Sequence, residues 1–147
     1  MTAASSLASL ADLKVGDELE PLPIEPITRT TLALFAGASG DHNEVHIDID
    51  AARAAGLDDV FAQGMLSMAY LGRLLTRWAP QDRLRSFSVR FTAITPVHAR
   101  PTCHGTVTAI EDGLATLALA VRLADGTTTL TGTAVIDIRP AHTEGQR

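Results

Sequence analysis

The sequence predicts an α+β domain in which one long helix is buried against an antiparallel sheet. Two observations carry that prediction. Between Met65 and Trp78, apolar side chains such as Leu66, Met68, Leu71, Leu74 and Leu75 cover most of a helix circumference. A helix that is apolar nearly all round is one that other structure surrounds. From Ser86 onward the period changes to two, with Phe87, Val89, Phe91 and Ala93 alternating with Ser86, Ser88, Arg90 and Thr92. That is the spacing of a half-buried strand.

The remaining elements follow in chain order. Residues 15–27 contain three prolines, which suits an edge strand or extended entry segment. Thr28 or Thr30 can cap a helix from Arg29 to Ala38, with Leu32, Phe35 and Ala36 as its apolar face. Gly37 and Gly40 end it. Asp48 or Asp50 caps a short helix, Ala51 to Ala55, stopped by Gly56. Pro80 terminates the long helix. Further strands are expected at 101–111, 114–124 and 127–138, joined at Glu111-Asp112-Gly113 and Ala124-Asp125-Gly126. Both junctions carry hairpin turn residues.

The densest chemistry lies in residues 39–48, Ser-Gly-Asp-His-Asn-Glu-Val-His-Ile-Asp. Asp41 and His46 stand on a short polar loop between the apolar segments 31–38 and 60–75. Such a loop can hold an acid/base pair at the mouth of an apolar pocket. Together the two groups could grip one water and move its protons, as addition of water to an activated double bond requires. His42-x-x-x-His46 superficially suggests a metal site. The zinc-protease pattern, however, needs Glu directly after the first histidine on a helix, and here Glu44 is two positions on; no metal is expected. Cys103 and His104 are neighbours on a strand and point to opposite faces, so they cannot act as nucleophile and base.

Composition bounds the rest. The chain has 147 residues, one domain's worth, 46% hydrophobic and 20% charged, so it can bury a core without disulfides. Residues 1–11 and 141–147 are expected to be disordered. The net charge of −5 counts against a nucleic-acid partner. A lone cysteine suits a reducing cytoplasm, and no run reaches membrane-spanning length. Arg83, Arg85, Arg90 and Arg100 could meet a phosphate, or could simply be solvated.

Ala38-Ser39-Gly40-Asp41-x-Asn43-x-x-His46-x-Asp48, followed by Ala62-x-Gly64-Met65, resembles the MaoC-like family of R-specific enoyl-CoA hydratases and (3R)-hydroxyacyl-ACP dehydratases. The likeness runs from Val15 through the last strand. It implies a hot-dog fold, a sheet wrapped around one central helix, over residues 1–147. It implies that Asp41 and His46 are the catalytic pair, supported by Ser39, Gly40 and Asn43. It also implies that the backbone N–H of Gly64 holds the thioester oxygen. Physics agrees on Gly64: an N–H at a helix start is unpaired within the helix and lies at the positive end of its dipole. Gln63, Met65 and Met68 are expected to contact substrate. The implied reaction interconverts (3R)-3-hydroxyacyl and trans-2-enoyl thioesters of CoA or acyl carrier protein. It uses no metal or organic cofactor, because the thioester supplies the activation.

Three positions depart from the family pattern. Glu44 replaces a proline, Gln63 a histidine, and Gly72 a serine found in several relatives. Glu44, if close to His46, would favour the imidazolium. An open sheet edge and a half-formed groove imply a homodimer or a heterodimer with another hot-dog chain. The alternatives are a partner subunit that shapes the acyl tunnel while another chain catalyses, and a hot-dog thioesterase. The thioesterase would need a carboxylate on the long helix, and residues 65–78 contain none.

Overall fold

The structure, a computed structural model, describes residues 10–140. The disorder expected at 141–147, and over residues 1–9, falls outside that range. Leu10 corrects the reading of the N-terminus: it is 2% exposed and part of the hydrophobic core. One leucine with apolar surface to hide outweighs a small, polar surrounding sequence.

Five strands form one antiparallel sheet: β1 (Leu22–Pro23), β2 (Leu84–Phe91), β3 (Thr102–Glu111), β4 (Leu114–Arg122) and β5 (Thr128–Asp137). Their spatial order is β1-β3-β4-β5-β2. The β3–β4 hairpin turns at Asp112 (φ 51°) and Gly113 (φ 74°), between the paired residues Glu111 and Leu114. Two successive positive φ angles give the two-residue turn whose twist matches its strands. The proline-rich entry segment contributes only the two residues of β1 and an isolated bridge from Glu18 to Thr106, because proline cannot extend a ladder.

Three α-helices lie wholly within the described residues before the meander. Helix α1 (Arg29–Ser39) is capped by Thr28, whose hydroxyl accepts from Thr31 N–H while Thr31 answers at Thr28 N–H. Helix α2 (Ile49–Ala54) is capped by Asp48. Helix α3 (Gly64–Trp78) crosses the sheet, with Leu66, Tyr70, Leu71, Leu74 and Leu75 buried. The same core contains Val107, Leu117, Val121, Leu130 and Ile136 from the strands.

Helix α3 is not enclosed all round, as its composition suggested. Gly64, Met65, Ala69 and Arg73 face outward, and Met65 is 54% exposed. One five-stranded sheet covers one side of a helix; the other stays open in a single chain. No helix among the described residues is long and apolar enough to cross a membrane.

Candidate active site

The polar loop begins where α1 ends. Gly40 adopts φ 76°, a left-handed cap whose N–H donates to Ala36 O; glycine reaches that conformation without steric cost. Ser39 Oγ donates to Phe35 O at 2.7 Å and accepts from Asp41 N–H at 3.2 Å. Asp41 Oδ1 in turn accepts from Asn43 N–H at 3.3 Å. The Asn43 side chain accepts from Val45 N–H, starting a 3-10 turn over Glu44–His46. Ser39, Gly40 and Asn43 therefore shape the loop, and the Asp41 carboxylate is left with one oxygen free.

That turn drives His46 inward, to 8% exposure. Its Nδ1 lies 2.7 Å from Phe61 O. A carbonyl oxygen can only accept, so Nδ1 carries the proton and the neutral ring presents a lone pair at Nε2. The Phe61 ring meets the imidazole edge-on, with centroids 4.6 Å apart. His46 Nε2 stands 3.9 Å from Asp41 Oδ2. That is too long for a direct hydrogen bond and short enough for one oxygen to bridge. The Asp41 side chain is 42% exposed and the His46 side chain 9%, so the pair sits at a boundary between solvent and interior.

The segment that His46 grips leads directly into α3. Ala62 N–H donates to Thr95 O at 2.9 Å, next to an isolated bridge between Phe61 and Pro96. Gln63, fully buried, donates from Nε2 to Leu32 O at 3.1 Å, while its Oε1 has no partner among the described residues. Residues 61–63 are thus held from three sides. The next residue, Gly64, opens α3, and among the described residues its N–H has no hydrogen-bond partner. A free N–H at the positive end of a fifteen-residue helix is suited to a developing oxyanion.

A cavity of about 280 Å³ opens beside Gly64, lined by Phe61, Ala62, Ser67, residues 91–95 and Leu130. Gln63, Met65 and Met68 are not among its lining residues. Gln63 ties α1 to α3, Met65 faces outward, and Met68 packs half-buried against the core. Sequence reasoning passed over two residues of this cavity. Ser67 (1% exposed) and Thr95 (4%) place their hydroxyls 3.4 Å apart. The available signal was a hydroxyl inside the apolar stripe of α3, but the contact that matters joins it to a residue 28 positions away.

The departures from the family pattern have distinct surroundings. Glu44 is exposed, and among the described residues Asp41 is the carboxylate within 4 Å of His46. A β-carbon on Gly72 would meet only Phe87 Cε1, at 3.8 Å, so a small side chain fits there. Cys103 is fully buried and burial pushes its thiol up to about 12, while burial and Arg122 push His104 down. The two lie on opposite strand faces, as their alternation predicts. Arg83 and Arg85 are engaged by Asp137, together with Arg139; Arg90 and Arg100 are exposed.

Comparison with known proteins places this geometry in context. The family model described as "MaoC like domain" matches residues 12–112. The 3-hydroxyacyl-thioester dehydratase Z of Mycobacterium tuberculosis is 30% identical over 112 residues, covering 71% of this chain and 74% of that protein. The ChsH1-ChsH2 complex of M. tuberculosis contains a chain with TM-score 0.77 and 29% identity, covering 86% of this chain and 98% of that one. The (R)-hydratase of A. caviae superposes with TM-score 0.76 at 25% identity, with the same coverage of 86% and 98%.

Proposed function

The chain belongs to the MaoC-like dehydratase family, and on that premise we propose that it is a hydro-lyase interconverting (3R)-3-hydroxyacyl and trans-2-enoyl thioesters. The observation that carries this reading is the orientation of His46. Its Nδ1–H is committed to Phe61 O, which leaves the Nε2 lone pair 3.9 Å from Asp41 Oδ2. A water between them can give one hydrogen to each acceptor.

In the hydration direction, Nε2 takes a proton from that water as its oxygen bonds to C3 of the enoyl group. The electron pair of the double bond moves onto the thioester oxygen, where Gly64 N–H receives it. The imidazolium then returns the proton to C2, and the neutral 3-hydroxyacyl thioester leaves. Asp41 accepts the second hydrogen of the water and orients the attack. The (3R) configuration is taken from the likeness to the family, and CoA and acyl carrier protein are both fitting carriers. A cytoplasmic setting fits such a substrate.

The active form in this reading is a dimer of hot-dog chains. The likeness to a complex of two proteins favours, as a second reading, a heterodimer in which this chain pairs with a different hot-dog subunit.

Incubation of the purified chain with crotonyl-CoA and with a long-chain enoyl-CoA, followed by loss of enone absorbance and chiral analysis of the alcohol, tests the proposal. (3R)-3-hydroxyacyl-CoA is the expected product. A predominantly (3S) product, or no hydration by the chain alone or with a partner hot-dog subunit, would overturn it.

A further inference from the structure

Ser67 lies three residues beyond Gly64, so the two share one face of α3. A helical side chain leans toward the N-terminus and covers the turn before its own Cα. Ser67 therefore projects over the turn that begins at Gly64, which has no side chain of its own, and both residues line the same cavity beside the Phe91 ring. Thr95 lines it too, and its carbonyl holds Ala62 N–H two residues before Gly64. The hydroxyls of Ser67 and Thr95 are almost wholly buried, yet 3.4 Å apart. A good hydroxyl pair sits at about 2.7–2.8 Å. Their mutual bond is long, and each hydroxyl keeps capacity for a better partner in the cavity.

From this arrangement we propose that Ser67 is a further catalytic residue: its Oγ–H donates to the thioester oxygen alongside Gly64 N–H, and Thr95 is a positioning residue that accepts from or donates to Ser67 as the hydroxyl turns toward substrate. This rests on the hydro-lyase reading above and adds a second donor to it. One backbone N–H places a single hydrogen bond on an oxygen that becomes an enolate. A hydroxyl one turn along occupies a second lone-pair direction, and it is already desolvated, so little rearrangement is needed when charge develops.

The test has two readouts. The first is steady-state hydration of crotonyl-CoA by wild type, Ser67→Ala, Thr95→Val and Thr95→Ser. Ser67→Ala should lower kcat about 100-fold, the scale for losing one oxyanion donor, with KM within threefold of wild type. Thr95→Val should give a smaller loss of kcat, and Thr95→Ser should recover it. The second readout is the absorption of bound 2,4-hexadienoyl-CoA in an Asp41→Asn background that does not turn it over. The red shift caused by polarisation of the thioester carbonyl should shrink when Ser67→Ala is added. Should Ser67→Ala fail to fold, Ser67→Cys, which donates only weakly, carries the same expectations. A folded variant with more than half the wild-type kcat and an unchanged red shift overturns the role of Ser67 and leaves the hydro-lyase reading standing. A wild-type chain that hydrates no enoyl-CoA, alone or with a partner subunit, removes both.

Discussion

Phe91 lies across Gly64 so closely that a β-carbon on Gly64 would stand 2.9 Å from the ring's Cε1. Glycine at this position does more than start a helix. It lets an aromatic side chain from the end of β2 close over the backbone whose N–H is unpaired among the described residues. Gly64→Ala should therefore displace the Phe91 ring, which is half exposed. Steady-state kinetics should show kcat lower by about 10- to 100-fold, the scale of a small misplacement at a reacting centre. Thermal stability should change little, because alanine is the better helix former.

Asp41 and His46 should separate in their structural effects while agreeing in their chemical ones. Asp41→Asn and His46→Ala should each lower hydratase turnover by at least about 100-fold. The Asp41 side chain is partly exposed, so its variant should melt near wild type. His46→Ala also leaves the part-buried Phe61 carbonyl without its partner, a loss of about 1 kcal/mol. Calorimetry beside the assay resolves the two.

Glu44→Pro should be chemically silent. Glu44 is exposed, begins the 3-10 turn, and among the described residues its N–H donates to nothing. Proline is well tolerated at the first position of a helical turn. The kcat/KM pH profile of Glu44→Pro and of Glu44→Gln should overlay that of wild type. A shift of the histidine-linked limb to lower pH in both would show that the carboxylate reaches His46 after all.

Asp137 should govern acid stability. Arg139 and then Arg85 hydrogen-bond its carboxylate and hold it far below its ordinary value of 3.8. Unfolding returns it to that value. The stabilisation is thus complete at neutral pH, and it drains away as pH falls below about 4 toward the depressed folded value. Asp137→Asn should lower the melting temperature at pH 7 and flatten its decline between pH 4 and pH 2. Equal slopes for variant and wild type would remove Asp137 from the acid transition.

Strand β2 ends the sheet, and its outer edge is unpaired among the described residues. Phe91, Ile94 and Met65 are each about half exposed close by. An open edge beside apolar surface favours pairing with another chain. Sedimentation should show a dimer at micromolar concentration; a fully active monomer would contradict the expected assembly.

Legibility from sequence divides along one physical line. Features set by neighbours in the chain could be read directly: the Asp112-Gly113 hairpin, the strand alternation, the span of α3, and the helix caps to within two candidates each, of which Thr28 and Asp48 are the ones used. The nearness of Asp41 to His46 was legible because both lie on one short loop. Features set by distant contacts were not. Nothing in the local pattern says that Gln63 binds Leu32 O, that Thr95 meets Ser67, or that Leu10 packs into the core. The exposed face of α3 was hidden for the same reason: composition shows how apolar a helix is, and only the extent of the sheet decides how much of it is covered.

The strand order has a consequence for synthesis. Strand β2 is made soon after α3, but its neighbour in the sheet is β5, the last of the described strands, through pairs such as Phe87 with Ala134. A nascent chain on the ribosome thus carries a finished α3 and β2 with no ladder to join until Thr128–Asp137 has emerged. The β3–β4 hairpin can zip locally during that interval; closing β2 onto β5 is a long-range step that must come last. Slow elongation or premature termination before Thr128 therefore leaves β2 and β4 without the strand that joins them, with unpaired edges of the kind chaperones bind.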